Sequence, residues 1–326
     1  MMDQLLHLLT HNKTATRDEL CAWLAISGPA LFERVAALKR AGYPIEEEGG
    51  ERFALFSEPN ALLPGLIMEE LSTQWVGRAE ILYAPEMGST NTVLKQAAMA
   101  RALPPGSIAV CHRQTAGKGR LQRVWEDDVA GASLTVSLLL MPNLPPEQMH
   151  LMTLAVAVAA ADTLIELGVE AGIKWPNDVV IGPRKCAGIL CELFTDFRGR
   201  LCAVAGIGVN IGQRGFSPPL RDKATSLYIA CGREIGRRAL LCAFLLHMEQ
   251  TLARLEAQGL AGILPGYMER SVTIGSRVRV VGAAEEFVGT AERIDELGAL
   301  LVRDDAGTLR QVLSGDVSVR GVMGYV

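Results

Sequence analysis

No run of about 18 apolar residues occurs in this sequence, so no segment of it reads as a helix long enough to span a bilayer. The N-terminus carries Asp3 and His7 where a secretory leader would have basic and then apolar residues. The seven cysteines include no C-x-x-C pair, which argues against a zinc or dithiol motif. Reduced thiols in the cytoplasm, with no membrane partner, are therefore expected. Five histidines are present, and only His7 and His11 share a helical spacing, where solvated positions explain them better than a metal pair. An excess of positive charge is also missing: 32 Lys and Arg against 36 Asp and Glu give a net charge of -4. Any anion site must then be local. No internal repeat is found. What is present is 49% hydrophobic and 21% charged over 326 residues, which excludes disordered and fibrous classes and suits two or three domains.

The pattern along the chain predicts an α+β protein in three parts: 1–62, 63–268 and 269–326. In the first, Thr16 and Glu19 fit a capping box opening a helix that buries Leu20, Trp23 and Leu24. Ile26-Ser27-Gly28-Pro29 breaks it, and Leu31, Val35 and Leu38 follow helical spacing on a second helix that Gly42 can end. Residues 45–55 read as two strands folded at Gly49-Gly50. Helix, short turn, helix and hairpin predict a winged helix-turn-helix, followed by a linker over 57–64. The second part alternates strands (107–111, 133–140, 179–181, 187–194, 201–211) with helices (92–102, 148–167, 237–258), a mixed α/β block. Short strands between Gly and Asp turns make the third part a small β-barrel.

Chemistry concentrates in four places. Residues 111–125 hold Arg113, Lys118, Arg120 and Arg123 with Gly117 and Gly119 and no acidic residue, a local anion trap in an acidic protein. It is no Walker A loop, since His112 and Gly119 stand where glycine and a hydroxyl residue are required. Lys174-Trp175-Pro176-Asn177-Asp178, followed by Arg184 to Leu190, crowds ammonium, amide and carboxylate groups around a strand-turn-strand. Alone it could be ordinary turn chemistry. Gly206-Ile207-Gly208-Val209-Asn210-Ile211-Gly212 has the wrong spacing for a dinucleotide fingerprint, though Asn210 remains a candidate for a base or sugar edge. Gly88-Ser89-Thr90-Asn91 could either cap a helix or hydrogen-bond a polar ligand. No G-x-S-x-G elbow is present.

In this order, these clusters resemble the bacterial bifunctional biotin protein ligase and biotin operon repressor family, over essentially the whole chain. The resemblance implies a winged helix-turn-helix, a central catalytic domain of the biotin/lipoate ligase type and a C-terminal SH3-like barrel. It implies that ATP with Mg2+ activates biotin as biotinyl-5′-AMP, which a lysine of a biotin carboxyl carrier protein then attacks. It assigns catalysis to Lys185, Arg120 and Asp178, the last orienting or deprotonating the acceptor lysine. Biotin would meet Ser89, Thr90, Asn91, Gln114, Lys118, Gly119, Arg120 and Lys185. The nucleotide would meet Arg120, Arg123, Lys174, Asn177 and Asn210, with Trp125 stacking on adenine.

The loop departs from the family pattern at Lys118, where arginine is usual, and at Gln122, where glycine is. Two other readings share the resemblance: a regulator that senses biotinyl-adenylate without transferring it, and a lipoate or octanoate transferase. The basic glycine loop and K-W-P-N-D argue against the transferase. A homodimer and operator DNA are further expected partners, with Arg34, Lys39 and Arg40 as candidate phosphate contacts. Yet residues 1–60 carry six basic against nine acidic residues, which weakens attraction to DNA.

Overall fold

The computed structural model describes residues 4–12, 14–40, 43–55, 61–282, 286–313 and 318–321. The N-terminal unit comprises α1 (Gln4–Asn12), β1 (Thr14–Thr16), α2 (Arg17–Leu24), α3 (Gly28–Arg40), β2 (Ile45–Glu48) and β3 (Arg52–Leu55). The capping box forms: Glu19 N–H donates to Thr16 Oγ1 at 3.3 Å and Thr16 N–H to Glu19 Oε2 at 2.8 Å. α2 ends on Ala25 in the left-handed conformation, and α3 leaves it at 96°. Leu20 and Leu24 are buried as expected, but Trp23 is 51% exposed. The buried stripe of this eight-residue helix centres between Leu20 and Leu24, and at about 100° per residue Trp23 lies about 80° around from that centre, at the edge of the stripe. The strands pair in the order β1-β3-β2; β1 is an element the sequence pattern did not suggest. Gly42 and residues 57–60 of the expected linker lie outside the described residues, and the linker's last residue, Pro64, instead opens a helix, where its fixed φ suits the first turn.

The central unit adds α4 (Pro64–Glu70), β4 (Ile81–Met87), α5 (Thr90–Ala100), β5 (Ile108–Gln114), β6 (Ser133–Leu140), α6 (Leu151–Glu166), β7 (Gly172–Lys174), β8 (Asp178–Ile181), β9 (Arg184–Thr195), β10 (Leu201–Asn210), α7 (Leu227–Cys231), α8 (Arg237–Gln258) and α9 (Leu264–Arg270). Its seven strands run β4-β5-β6-β10-β9-β8-β7; β4 and β5 are parallel and the other neighbours antiparallel. Helices cover both faces, so β6 is buried at every position. Along β10 the two-residue period sorts the side chains. Cys202 and Val204 pack toward α5, while Ala203, Ala205, Ile207 and Val209 join the larger core with α6 and α8. Gly206 and Gly208 therefore lie on the α5 side. β5 runs three residues beyond the expected strand, placing Gln114 at its end rather than in a loop.

The C-terminal part is a five-stranded antiparallel sheet, ordered β14-β13-β12-β11-β15, formed by β11 (Arg277–Val281), β12 (Glu286–Ile294), β13 (Leu300–Asp304), β14 (Leu309–Val312) and β15 (Ser318–Gly321). Val278, Val280, Leu300 and Val302 belong to the same hydrophobic cluster as the central unit. The expected break at 268/269 falls inside α9. Trp175 N–H donates to Thr273 Oγ1 at 2.9 Å, so this sheet backs onto the segment carrying Lys174 to Asp178. All seven cysteines are free thiols, and burial pushes Cys111 up to about 11 and Cys191 to about 12. Among the described residues no single helix is long and apolar enough to cross a membrane.

Candidate active site

Ser89 occupies the N-cap position of α5 but makes no side-chain cap bond. The hydroxyl and amide groups of this turn face the sheet instead. Thr90 donates through both its N–H and its Oγ1 to Gln114 Oε1, at 2.8 and 3.1 Å. From β6 below, the Ser137 hydroxyl lies 2.8 Å from Thr90 Oγ1 and 2.6 Å from Asn91 Oδ1. Asn91 Nδ2 donates to Leu190 O at 3.1 Å and Glu192 Oε2 at 2.9 Å. Gly206 is required beneath it, because a Cβ there would collide with the Asn91 amide. Ser89, Thr90 and Asn91 are buried, as a rigid hydrogen-bonding wall requires.

Opposite stands the basic segment. It folds on itself through a Lys118–Val124 bridge and hydrogen bonds from Gly119 N–H to Arg123 O (2.7 Å) and from Trp125 N–H to Gly117 O (3.0 Å). Leu121 and Gln122 at its tip take φ of 54° and 57°, so Gln122 adopts the left-handed backbone that glycine would favour. The Trp125 indole rests on a glycine floor: a Cβ at Gly208 would fall 2.5 Å from its Cε2, and one at Gly188 3.0 Å from its Cζ3. Its buried Nε1 has no hydrogen-bond partner among the described residues. Lys185 Nζ lies 5.8 Å from the indole centroid and 2.6 Å from Asp178 Oδ1. Arg120 donates to Asn177 Oδ1 at 3.0 Å, and Asn177 Nδ2 to Ile189 O at 2.8 Å. Lys118 Nζ donates to Thr92 Oγ1 at 3.0 Å.

These walls line an open cleft with about 450 Å³ of empty space, open solvent at its mouth included, with hydroxyl and amide groups at one end and cations at the other. Ten of the fourteen residues to which the resemblance gives a catalytic or ligand role line it: Ser89, Thr90, Asn91, Gln114, Lys118, Gly119, Arg120, Trp125, Asn177 and Lys185. Four do not. Asp178 touches it through Lys185; Arg123 is exposed on the basic segment; Lys174 is buried beside Asp178. Asn210 is also buried, its Nδ2 donating to Thr225 O (3.1 Å) and its Oδ1 accepting from Gln213 Nε2 (3.3 Å). Burial pulls the Lys174 ammonium down to about 8, with Asp178 pulling it up and Lys185 down.

The Biotin/lipoate A/B protein ligase family matches at residues 83–210 and the Biotin protein ligase C terminal domain at 273–320. The "Bifunctional ligase/repressor BirA" of Bacillus subtilis (strain 168) is 30% identical over 311 residues, 94% of each chain. This chain belongs to the biotin protein ligase family. The BirA protein of Escherichia coli (strain K12) is 26% identical over 318 residues, 97% of this chain and 96% of that one. Among solved structures, the biotin protein ligase from Aquifex aeolicus in complex with biotin and ATP superposes with a TM-score of 0.66 at 27% identity, covering 74% of this chain and 99% of that one.

Within this ligase fold, several residues carry the site that no sequence motif had marked. Ser137 joins Thr90 to Asn91, Glu192 holds Asn91, and buried Asp127 accepts the Gln114 N–H at 2.8 Å through Oδ2. A serine inside the apolar run 133–140 was the one available signal, because a buried hydroxyl needs a partner. Gly206 and Gly208 were visible in the sequence, but rejecting the dinucleotide fingerprint left them without a role.

Proposed function

We propose that the chain is an ATP-dependent biotin protein ligase that forms biotinyl-5′-AMP and transfers biotin to a lysine of a biotin carboxyl carrier protein. The observation that carries this reading is the pairing, across one glycine-floored cleft, of a hydroxyl and amide wall with Lys118, Arg120 and Lys185. The ureido ring of biotin offers both donors and acceptors to Ser89, Thr90, Asn91 and Gln114, and its carboxylate extends toward the cations. In the first step a carboxylate oxygen bonds to the α-phosphorus of ATP and diphosphate leaves. Arg120 and Lys185 offset the repulsion between carboxylate and triphosphate. Among the described residues no three His, Cys, Asp or Glu side chains gather into a metal site, so Mg2+ would enter with the nucleotide phosphates. In the second step the acceptor amine bonds to the acyl carbon, AMP leaves, and the amine loses a proton that Asp178 would take or steer. Trp125 would stack on adenine after lifting from its floor, and Lys174 and Arg123 would face the phosphates. The Asn177 and Asn210 amides already have protein partners, so their part would be to hold Arg120 and the segment 210–213.

We further read the N-terminal unit as a winged helix-turn-helix, the C-terminal sheet as an SH3-like barrel, and the chain as a homodimeric biotin-responsive repressor. The 96° between α2 and α3 and the names of the full-length relatives support this. Arg34 and Arg40 are exposed on α3, whereas Lys39 pairs with Glu47 of β2 at 3.2 Å. Mass spectrometry after incubation with biotin, MgATP and a carrier domain tests the enzyme: a biotinyl adduct on the acceptor is expected. Adenylate retained without transfer would favour the sensor, and neither product would refute the ligase. Gel-shift titration against the control region of the host's biotin genes tests the repressor, and no shift at low salt refutes it.

A further inference from the structure

A second cavity, with about 730 Å³ of empty space, shares no lining residue with the cleft. It lies between the ends of β5, β6 and β10 and the start of α8, bounded by His112, Gly131, Ile211 and Arg237. Ile211 continues the side of β10 that packs toward α6 and α8, so the cavity opens on the face of the sheet away from Gly206 and Gly208.

Its charge is unusual for an acidic protein. Arg237, the first residue of α8, is 3% exposed yet lines the cavity. Its Nη2 donates to His112 Nδ1 at 3.0 Å, and an accepting Nδ1 belongs to the neutral ring whose proton sits on Nε2. The Arg214 guanidinium, 69% exposed, lies 4.2 Å from the Tyr228 ring centroid and donates to its hydroxyl at 2.7 Å. The acidic lining residue is Glu234, 84% exposed at the rim and 3.8 Å from Arg214. The 22-residue α8 begins here with Gly236 as N-cap, no side-chain cap bond and no acidic residue in its first turn. Two guanidiniums and a helix N-terminus thus converge on one space.

We propose that this cavity is a second anion site that takes a phosphate-type oxyanion, held by Arg237 and Arg214 at the start of α8. Free phosphate, the diphosphate released on adenylation and the phosphate of a nucleotide share that chemistry. The cavity is lined by Ile211 and Gly212, which directly follow β10, the strand whose Gly206 and Gly208 line the cleft.

Calorimetric titration of the full chain with inorganic phosphate, diphosphate and AMP, each at low salt, tests the site. Saturable phosphate binding is expected, equal in wild type and in Arg120→Ala, which alters only the cleft. Arg214→Glu should weaken it by about tenfold or more, the loss of one charge-assisted contact. Ile235→Trp, which adds bulk at a lining residue while leaving both arginines, should abolish it, and keeps the test open if Arg214→Glu fails to fold. Tighter binding of diphosphate or of AMP that is kept in Arg120→Ala and lost in Ile235→Trp would identify which source the site serves. The proposal is overturned by no saturable binding up to about 10 mM phosphate, by binding lost in Arg120→Ala, or by binding unchanged in both Arg214→Glu and Ile235→Trp.

Discussion

Replacing Lys185 by alanine removes the cleft ammonium to which the proposed function gives the reacting carboxylate, while leaving the hydroxyl and amide wall intact. Nζ lies 2.6 Å from Asp178 Oδ1, with the two side chains 27% and 15% exposed, so the charge acts in a partly dehydrated setting. A unit charge about 4 Å from its partner is worth about 4 kcal/mol at an effective dielectric near 20. Part of that attraction is already spent on Asp178. A loss of about 3 kcal/mol of transition-state stabilisation follows, roughly a hundredfold in kcat/KM for adenylation. Fold stability should fall less, by about 1–2 kcal/mol, because Lys174 stays near Asp178 as a second cation. Lys185→Arg should recover part of the rate, since it keeps the charge but changes its geometry. The double variant Lys185→Ala, Asp178→Asn should regain stability without regaining rate. Biotin-dependent exchange of diphosphate into ATP reports the first step, and thermal melting reports the fold. Exchange by Lys185→Ala within twofold of wild type would refute the role assigned to the ammonium.

Other substitutions probe the rest of the cleft. Gly208→Val should displace the Trp125 indole and cost about 1–3 kcal/mol by overpacking, with a higher KM for biotin; an unchanged melting temperature and KM would contradict the glycine floor. At the tip of the basic segment, Gln122→Gly should be nearly neutral and Gln122→Ile should raise the KM for biotin, because a β-branched residue tolerates the left-handed φ of 57° poorly; equal KM values in the two variants would count against an ordered tip. Lys174 yields a pH test. Its ammonium titrates near 8 in the folded protein against an ordinary 10.5, so folding carries the cost of burying the charge below about pH 8 and sheds it between pH 8 and 10.5. Lys174→Met should therefore gain most over wild type in melting temperature at pH 7 and less at pH 9.5, and the reverse order would sink the assignment.

Much of this protein could be read from residue order. The capping box at Thr16 and Glu19 and the bounds of α8 follow from local spacing and appear where expected. Trp23 did not, since a short helix with two buried leucines does not reveal which way its face turns until α3 and the hairpin pack against it. Lys118 and Arg120 were marked by charge and glycine content, and Lys185 and Asn177 by the family resemblance. Ser137, Asp127 and Glu192 were not, because each acts through a partner between 13 and 101 residues away.

The sequence by itself determined the family, the residue types that can manage a carboxylate and a triphosphate, and the elements that carry them. Those are local properties: periodicity, capping, and charge within a few residues. Only the tertiary structure decided which groups are free to meet a ligand. It ties both ends of the Asn177 amide to Arg120 and Ile189, lays Trp125 on Gly188 and Gly208, and binds Asp178 to Lys185. It also gathers Arg237, Arg214 and the start of α8 around a second cavity that no motif announced. Packing brings together side chains that sequence spacing keeps apart, and burial then sets their hydrogen bonds and their charge.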